Sequence, residues 1–259
     1  MSKPLKIMLH EGIARITLNR PKFYNAFDVE MIHMLADELT GMATNPDVGG
    51  IVITGEGKAF CSGADLKSIT GLGKNLREAF HELAAIYHRA ILEIHRMPKP
   101  VIAAINGLAA GGGLSLSLAC DFRVMASSAQ LRQAYTTNGL SIDGGGTFTL
   151  PRLIGMARAL EIAAFDPPIS AEQALSWGLV TEVVEHGHSM ERAVMLADRI
   201  KKGPLSSFAA SKELITNALN TTFESQLEKE RQHLSWCADH PNGREGINAF
   251  LEKRKPVYI

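Results

Sequence analysis

The sequence predicts an α/β fold, a parallel-rich sheet covered by helices and continued by a helical tail. Two features carry that expectation. The runs GIVITG (50–55) and PVIAAING (100–107) are short, continuously apolar and β-branched, as strands buried on both faces are, and a long amphipathic segment (76–95) lies between them. From Ser170 onward the pattern is mainly helical, with no linker, repeat or low-complexity tract to mark a second core.

Taken in order, 7–10 and 13–18 read as two strands joined at Glu11-Gly12, with Ile16 and Leu18 on one face. Asp28 is placed to cap a helix whose apolar stripe is Ile32, Leu35, Ala36 and Leu39. DFRVMA (121–126) reads as a further strand. It is followed by a glycine-rich loop, NGLSIDGGGTF (138–148), and the helical stretch LPRLIGMARALEIAAF. Ser170 is an N-cap for AEQALSWG, and helices are expected over 190–202, 205–219, 223–238 and 244–253. The expected organisation is an α/β core over 1–200 and a helical region over 201–259.

With 259 residues the chain suits one α/β domain with appended helices. Lys plus Arg and Asp plus Glu both number 27, so no global field gathers nucleic acid or an anionic membrane, and neither partner is expected. A neutral partner or a locally recognised anion is favoured. Cys61, Cys120 and Cys237 show neither CxxC nor metal-ligand spacing, so no metal is expected and a reducing, cytoplasmic setting fits. The start, MSKPLKIMLHEGIARI, lacks an apolar signal core, and no stretch approaches about 18 uncharged apolar residues. A soluble, untargeted protein is the expectation.

The chemistry begins with NGLAAGGGLSLSLACDF (106–122), where three consecutive glycines open a helical run. A glycine-rich strand-to-helix turn often binds phosphate, but GGG is not GxGxxG, and GEGKAF (55–60) lacks the leading glycine and the Ser/Thr of a P-loop. The same free N–H groups also suit an oxygen that becomes negative only during reaction. A second candidate donor segment, AFCSGADLKS (59–68), follows the preceding central strand and contains Gly63. Either motif alone is equally well read as a tight turn packed on the sheet.

GKAFCSGADLK, KPVIAAINGLAAGGGLSLSLACD, the GGGT loop, ISAEQALSWGLVTEVV and REGINAFLEKRKP, in that order, resemble the crotonase, or enoyl-CoA hydratase/isomerase, family. The likeness runs from LNRPKFYNAF at 18 nearly to the end. It implies a crotonase-like spiral of ββα units with a C-terminal helical trimerisation region, assembled as a homotrimer or a homohexamer (a dimer of trimers). It also implies acyl-CoA thioester substrates, with coenzyme A arriving as part of the substrate and no permanently bound cofactor. The family's two oxyanion donors carry over to the backbone N–H groups of Ala64 and Gly112, where a Cβ at Gly111 or Gly112 is expected to crowd the acyl-CoA. CoA contacts carry over to Asn25, Ala26, Ala59, Cys61, Ala64, Leu66, Lys67 and Gly111. Phe250 and Lys253 resemble residues that approach the CoA, in some members from a neighbouring subunit.

The chain departs from the hydratases at both water-holding glutamates, whose positions align with Ser115 and Tyr135. The remaining acid of the loop is Asp143, and DGGGTFTLPR resembles the loop of isomerase-type members, where an aspartate moves a proton. An aspartate there is also the nucleophile of 4-halobenzoyl-CoA dehalogenases, whose water-activating histidine aligns here with Leu92. Asp143 also reads as an Asx-turn or N-cap before the glycines. Ser115 reads as a small residue making room for a bulky acyl group or as a nucleophile with no base beside it. Tyr135 reads as a pocket wall or a hydrogen-bond donor suited to a ring or unsaturated acyl group. His81, His88 and His95 recur every seven residues and read as surface or subunit-contact groups. The leading expectation is double-bond isomerisation with Asp143 as proton shuttle. The alternatives are a hydratase with altered acid/base residues, an aryl-CoA dehalogenase or hydrolase, and a catalytically silent CoA-ester-binding homologue.

Overall fold

The computed structural model describes residues 3–259. Strands β1 (Leu5–His10) and β2 (Ile13–Leu18) form an antiparallel hairpin, its turn carried by Glu11 and Gly12 at positive φ. Helix α1 (Val29–Thr44) starts where the Asp28 carboxylate accepts the Met31 N–H at 2.8 Å, and the predicted stripe of Ile32, Leu35, Ala36 and Leu39 is wholly buried.

Three turns of chain then repeat one device, a strand in a large sheet followed at once by a short strand in a small one. The pairs are β3 (Gly50–Gly55) with β4 (Ala59–Cys61), β5 (Val101–Ile105) with β6 (Leu108–Ala110), and β7 (Phe122–Ala126) with β8 (Gln130–Arg132). Helices α2 (Leu66–Thr70) and α3 (Leu76–Arg96) follow the first pair, and α4 (Gly112–Ala119) follows the second. This is the ββα spiral that the resemblance implies. After β8 come α5 (Gly146–Ile154), α6 (Met156–Phe165), β9 (Ile169–Ser170), α7 (Ala171–Ser176), β10 (Glu182–Val184) and α8 (Ser189–Lys201). The tail is α9 (Leu205–Asn217), α10 (Phe223–Asp239) and α11 (Pro241–Leu251).

The large sheet runs β1-β2-β3-β5-β7-β10 and is parallel from β2 onward; the small sheet runs β4-β6-β8-β9. Alternate side chains of the central strands feed two cores. Ile51, Ile53, Val101 and Ala103 pack with α1 and α3, while Val52, Ile102, Ala104 and Val124 pack with Ala193 and Ala197 of α8. Burial on both faces explains why these strands read as unbroken apolar runs.

Two details depart from the sequence reading, and a third bears on the tail. The stretch after the glycine loop is two helices, because Gly155 (φ 78°) ends one and begins the next, and the first already starts at Gly146 within GGGT. Glu182–Val184 is a strand pairing with β7, too short and too little buried to stand out among helical segments. On the tail, α10 buries none of its residues in the chain, and Ile215, Leu219, Phe223, Leu234, Phe250 and Leu251 are each more than two-thirds exposed. Among the described residues, no helix is long and apolar enough to cross a membrane.

Candidate active site

The loop after β4 is locked to the entry of α1. Phe27 N–H donates to the Gly63 carbonyl at 2.7 Å, and Asp65 N–H donates to the Phe27 carbonyl at 2.8 Å. In that pairing the intervening Ala64 N–H faces away, and it has no hydrogen-bond partner among the described residues. Arg20 steadies the loop with 2.9 Å contacts to both Asp28 and Asp65. Asp65 in turn accepts the Ser68 N–H at 3.0 Å to cap α2.

The second loop follows β6. Gly111 takes φ 52° and donates its N–H to the Arg132 carbonyl at 3.1 Å, after which Gly112 opens α4 with an N–H that also lacks a partner among the described residues. A Cβ placed on Gly63 would lie 3.1 Å from the Gly112 nitrogen, so the two loops are in contact. The glycine triplet owes its composition first to the protein's own backbone. A Cβ at Gly113 would stand 2.1 Å from the Cys61 carbonyl oxygen, and one at Gly112 would press on the Phe27 ring at 3.3 Å. Gly111 has no neighbour closer than 3.6 Å to its Cβ position, and its requirement is the positive φ. Crowding within the fold therefore accounts for Gly112 and Gly113, and the positive φ for Gly111, where the sequence suggests crowding of the ligand at Gly111 or Gly112.

Both free N–H groups border a cavity of about 510 Å³. Its walls include Phe27, Phe80, Leu83, Leu140 and Ile142, and its polar groups include Tyr87, Tyr135 and Asp143. Buried Tyr87 packs on Phe27 and donates its hydroxyl to the Gly112 carbonyl at 2.5 Å, fixing the first turn of α4. Burial pushes the Tyr87 phenol far up, with Tyr135 and Asp143 adding to the shift, so it stays neutral as a donor. Burial likewise raises the Tyr135 phenol, against a smaller opposing effect of Ser115.

The Asp143 carboxylate caps no helix, since α5 begins beyond it without a side-chain cap. It is about one-third exposed and meets Nε2 of His88 from α3. The sequence places His88 at the surface, and the resemblance aligns the dehalogenase histidine with Leu92. In the structure Leu92, one helical turn further on, is exposed and borders a different space. His88 is about half exposed, so it is a surface group as well as a partner of Asp143, and the seven-residue histidine spacing was the available signal.

Ser115 is buried, and its hydroxyl donates to the Asp143 carbonyl at 2.6 Å. It holds the aspartate loop from behind, outside the cavity lining, which fits neither role considered for it from sequence. The Asn25 amide is likewise engaged with the protein: its Oδ1 accepts the Arg20 N–H at 2.9 Å and its Nδ2 donates to the Ala59 carbonyl at 2.7 Å. Ala26, Ala59 and Cys61 are buried beneath the same loop, Leu66 lines the cavity, and Lys67 is exposed nearby. Burial pushes the Cys61 thiol up to about 12. Phe250 and Lys253 lie exposed on the tail and do not line the cavity.

A larger space of about 1360 Å³ separates α3, α4 and α5 from α9 and α10, and contains neither free N–H donor. Among the described residues no group of three or more His, Cys, Asp or Glu side chains has the arrangement of a metal site.

The family described as enoyl-CoA hydratase/isomerase matches residues 9–259. A probable enoyl-CoA hydratase of Rhodobacter capsulatus is 40% identical, over 98% of this chain and 97% of its own. The 1,2-epoxyphenylacetyl-CoA isomerase of Escherichia coli is 35% identical, with 96% of each chain covered. The crystal structure of an enoyl-CoA hydratase from Polaromonas sp. JS666 superposes with a TM-score of 0.94 at 38% identity, covering 98% of this chain and 99% of that one. With two coordinated backbone loops, an apolar cavity and this end-to-end likeness, the chain belongs to the enoyl-CoA hydratase/isomerase family and is an enzyme of that family, which acts on CoA thioesters.

Proposed function

We propose that this enzyme isomerises an unsaturated acyl-CoA, moving the double bond along the acyl chain. The observation that carries the reading is the presence of two N–H donors, Ala64 and Gly112, with no partner among the described residues, on the same cavity as an Asp143 carboxylate that caps no helix. The thioester oxygen lies between the two N–H groups. Asp143 takes a proton from one carbon, the electron pair moves through the conjugated system onto that oxygen, and the enolate is held by both donors. Asp143 then returns the proton to the other carbon, restoring the thioester and the carboxylate. One positioned acid/base suffices for this sequence, whereas syn hydration uses two carboxylates and both glutamate positions are filled here by Ser115 and Tyr135. Incubation of an enoyl-CoA in deuterated water should place label at the α or γ carbon; robust hydration of crotonyl-CoA that survives Asp143→Asn would overturn the reading.

The His88–Asp143 contact favours a second reading, an aryl-CoA dehalogenase or hydrolase. There the Asp143 carboxylate attacks a ring carbon, halide departs, and His88 deprotonates the water that cleaves the resulting aryl ester. A single turnover in ¹⁸O-water would then label Asp143, which isomerisation does not do.

For assembly we take the exposed apolar faces of α9, α10 and α11 as subunit contacts of a homotrimer or hexamer, with Phe250 and Lys253 reaching a neighbour's CoA. The three unpaired cysteines fit a reducing, cytoplasmic setting.

A further inference from the structure

Tyr135 enters the cavity from a backbone held outside its usual regions. Ala134, the residue before it, has φ 51°, and Asp166 at the end of α6 has φ 46°. The left-handed region brings Cβ against the following carbonyl; aspartate tolerates this better than alanine does. Such a residue persists where its surroundings over-determine it.

The surroundings of Ala134 centre on one buried carboxylate. Asp166 is 2% exposed, and it accepts three hydrogen bonds, all from the segment carrying Tyr135. Its Oδ1 takes the Ala134 N–H at 2.8 Å, while its Oδ2 takes Arg132 Nε at 3.0 Å and Thr137 Oγ1 at 3.0 Å. Gln133, also buried, closes the cradle by accepting the Tyr135 N–H at 2.8 Å and donating to the Ala163 carbonyl at 3.3 Å. The same strand end accepts the Gly111 N–H on the Arg132 carbonyl at 3.1 Å, so it also borders the opening of α4. A carboxylate is expensive to bury unless its oxygens are satisfied, and here its partners are supplied by one short loop.

We infer that Asp166 is a positioning residue whose carboxylate holds Ala134 left-handed and so fixes Tyr135 against Ser115 and Asp143 in the cavity. The inference rests on the acyl-CoA reading of that cavity for its effect on turnover, but not for its effect on the loop. Asp166 does not line the cavity itself, so it acts through the segment it holds, which brings Ala134 and Tyr135 to the cavity wall.

Asp166→Asn preserves shape and tolerance of positive φ while replacing one acceptor oxygen by a donor. In hydrogen-exchange mass spectrometry, the amides of 132–138 should exchange about tenfold faster while the central strands remain unchanged. Turnover of the enoyl-CoA should fall about tenfold to a hundredfold, as expected of a group displaced by about an ångström, with acyl-CoA affinity within about twofold. Ala134→Gly in the Asp166→Asn background should bring kcat to within about threefold of Ala134→Gly alone, because glycine occupies that conformation unaided. A structural role in packing would give no such rescue. Thr137→Val, which removes one donor at an exposed position, should shift exchange and kcat in the same direction even if Asp166→Asn folds poorly. Unchanged loop exchange in both variants, or a double variant no faster than Asp166→Asn, overturns the inference. A wild type that isomerises no enoyl-CoA sinks the acyl-CoA reading instead, and the exchange measurement still decides the role of Asp166.

Discussion

Nε2 of His88 meets Oδ1 of Asp143 across 55 residues of sequence. The contact joins the middle of α3 to the loop before α5, and Ser115 holds that loop from behind through the Asp143 carbonyl. The carboxylate is therefore positioned from two sides, by the backbone it belongs to and by an imidazole. An acid held this firmly on that cavity suits either proposed chemistry, proton transfer or attack, and the two are separable.

Asp143→Asn should lower turnover by about a hundredfold to ten-thousandfold, the range of a single acid or base, with acyl-CoA affinity nearly intact. His88→Gln is the discriminating partner. For isomerisation it should cost less than Asp143→Asn, because the imidazole only orients the base. For displacement it should let a covalent ester on Asp143 accumulate, which intact-protein mass spectrometry would detect.

Gly113→Ala should damage the oxyanion site without touching a titratable group. Its Cβ would stand 2.1 Å from the Cys61 carbonyl oxygen, which forces the start of α4 away from β4 and carries the Gly112 N–H with it. Loss of one such donor costs about 2.7–4 kcal/mol of transition-state stabilisation, so kcat should fall by about a hundredfold or more. Full activity in Gly113→Ala would remove Gly112 from the site.

Much of the architecture was legible because it is written in local chemistry. Asp28, Ser170 and the unbroken runs at 50–55 and 101–105 specify a cap, a capping box and buried strands from their immediate neighbours. Motif order pointed to Ala64, Gly112 and Asp143, and the fold brings the three to one cavity. What escaped was long-range. Ser115 and Asn25 look like candidate ligand contacts until their partners, the Asp143 and Ala59 carbonyls, are brought near by folding. Asp166 directly precedes Pro167 and Pro168, and nothing local indicates that Ala134 needs it.

Lys212 should be the strongest single tie between tail and core. Its ammonium, 6% exposed, bonds Asp121 at 2.9 Å and the Ile94 carbonyl at 2.9 Å. Burial pushes the Asp121 carboxyl up, and Lys212 together with the Val101 N–H opposes that shift. Lys212→Met leaves the acid buried and unpaired, a loss of about 3–5 kcal/mol in chemical denaturation. Lys212→Met with Asp121→Asn should recover much of it. A single variant as stable as the wild type would show the pair to be dispensable.

The tail should be covered by other copies of the chain. Phe223, Leu234 and Phe250 are each more than 70% exposed, and an apolar face of that extent is unfavourable in water. Light scattering should give a trimer or hexamer at micromolar concentration, and Leu234→Glu should dissociate it. A monomeric wild type would also remove Phe250 and Lys253 from any neighbour's CoA site.

Acid should loosen the Ala64 loop before it unfolds the sheet, through Asp65. Burial raises this carboxyl, but the Ser68 N–H and the Arg20 guanidinium, 2.9 Å away, outweigh burial and hold it below its ordinary value of 3.8. Because the folded value lies below the unfolded one, the stabilisation is fully present above pH 3.8 and is lost as pH falls through the folded value. Asp65→Asn removes the charge at every pH, so it should be less stable than the wild type at pH 7 yet lose less on acidification. The two stability curves should begin to approach one another below pH 3.8 and converge only below the folded value, where the wild-type carboxyl is protonated as well. Since Asp65 directly follows the Ala64 donor, exchange of the 63–68 amides should rise in the same acid window in the wild type. In Asp65→Asn it should already be raised at neutral pH. Parallel stability curves for the two proteins from pH 7 to pH 3 would show that the Arg20–Asp65 contact does not anchor this loop.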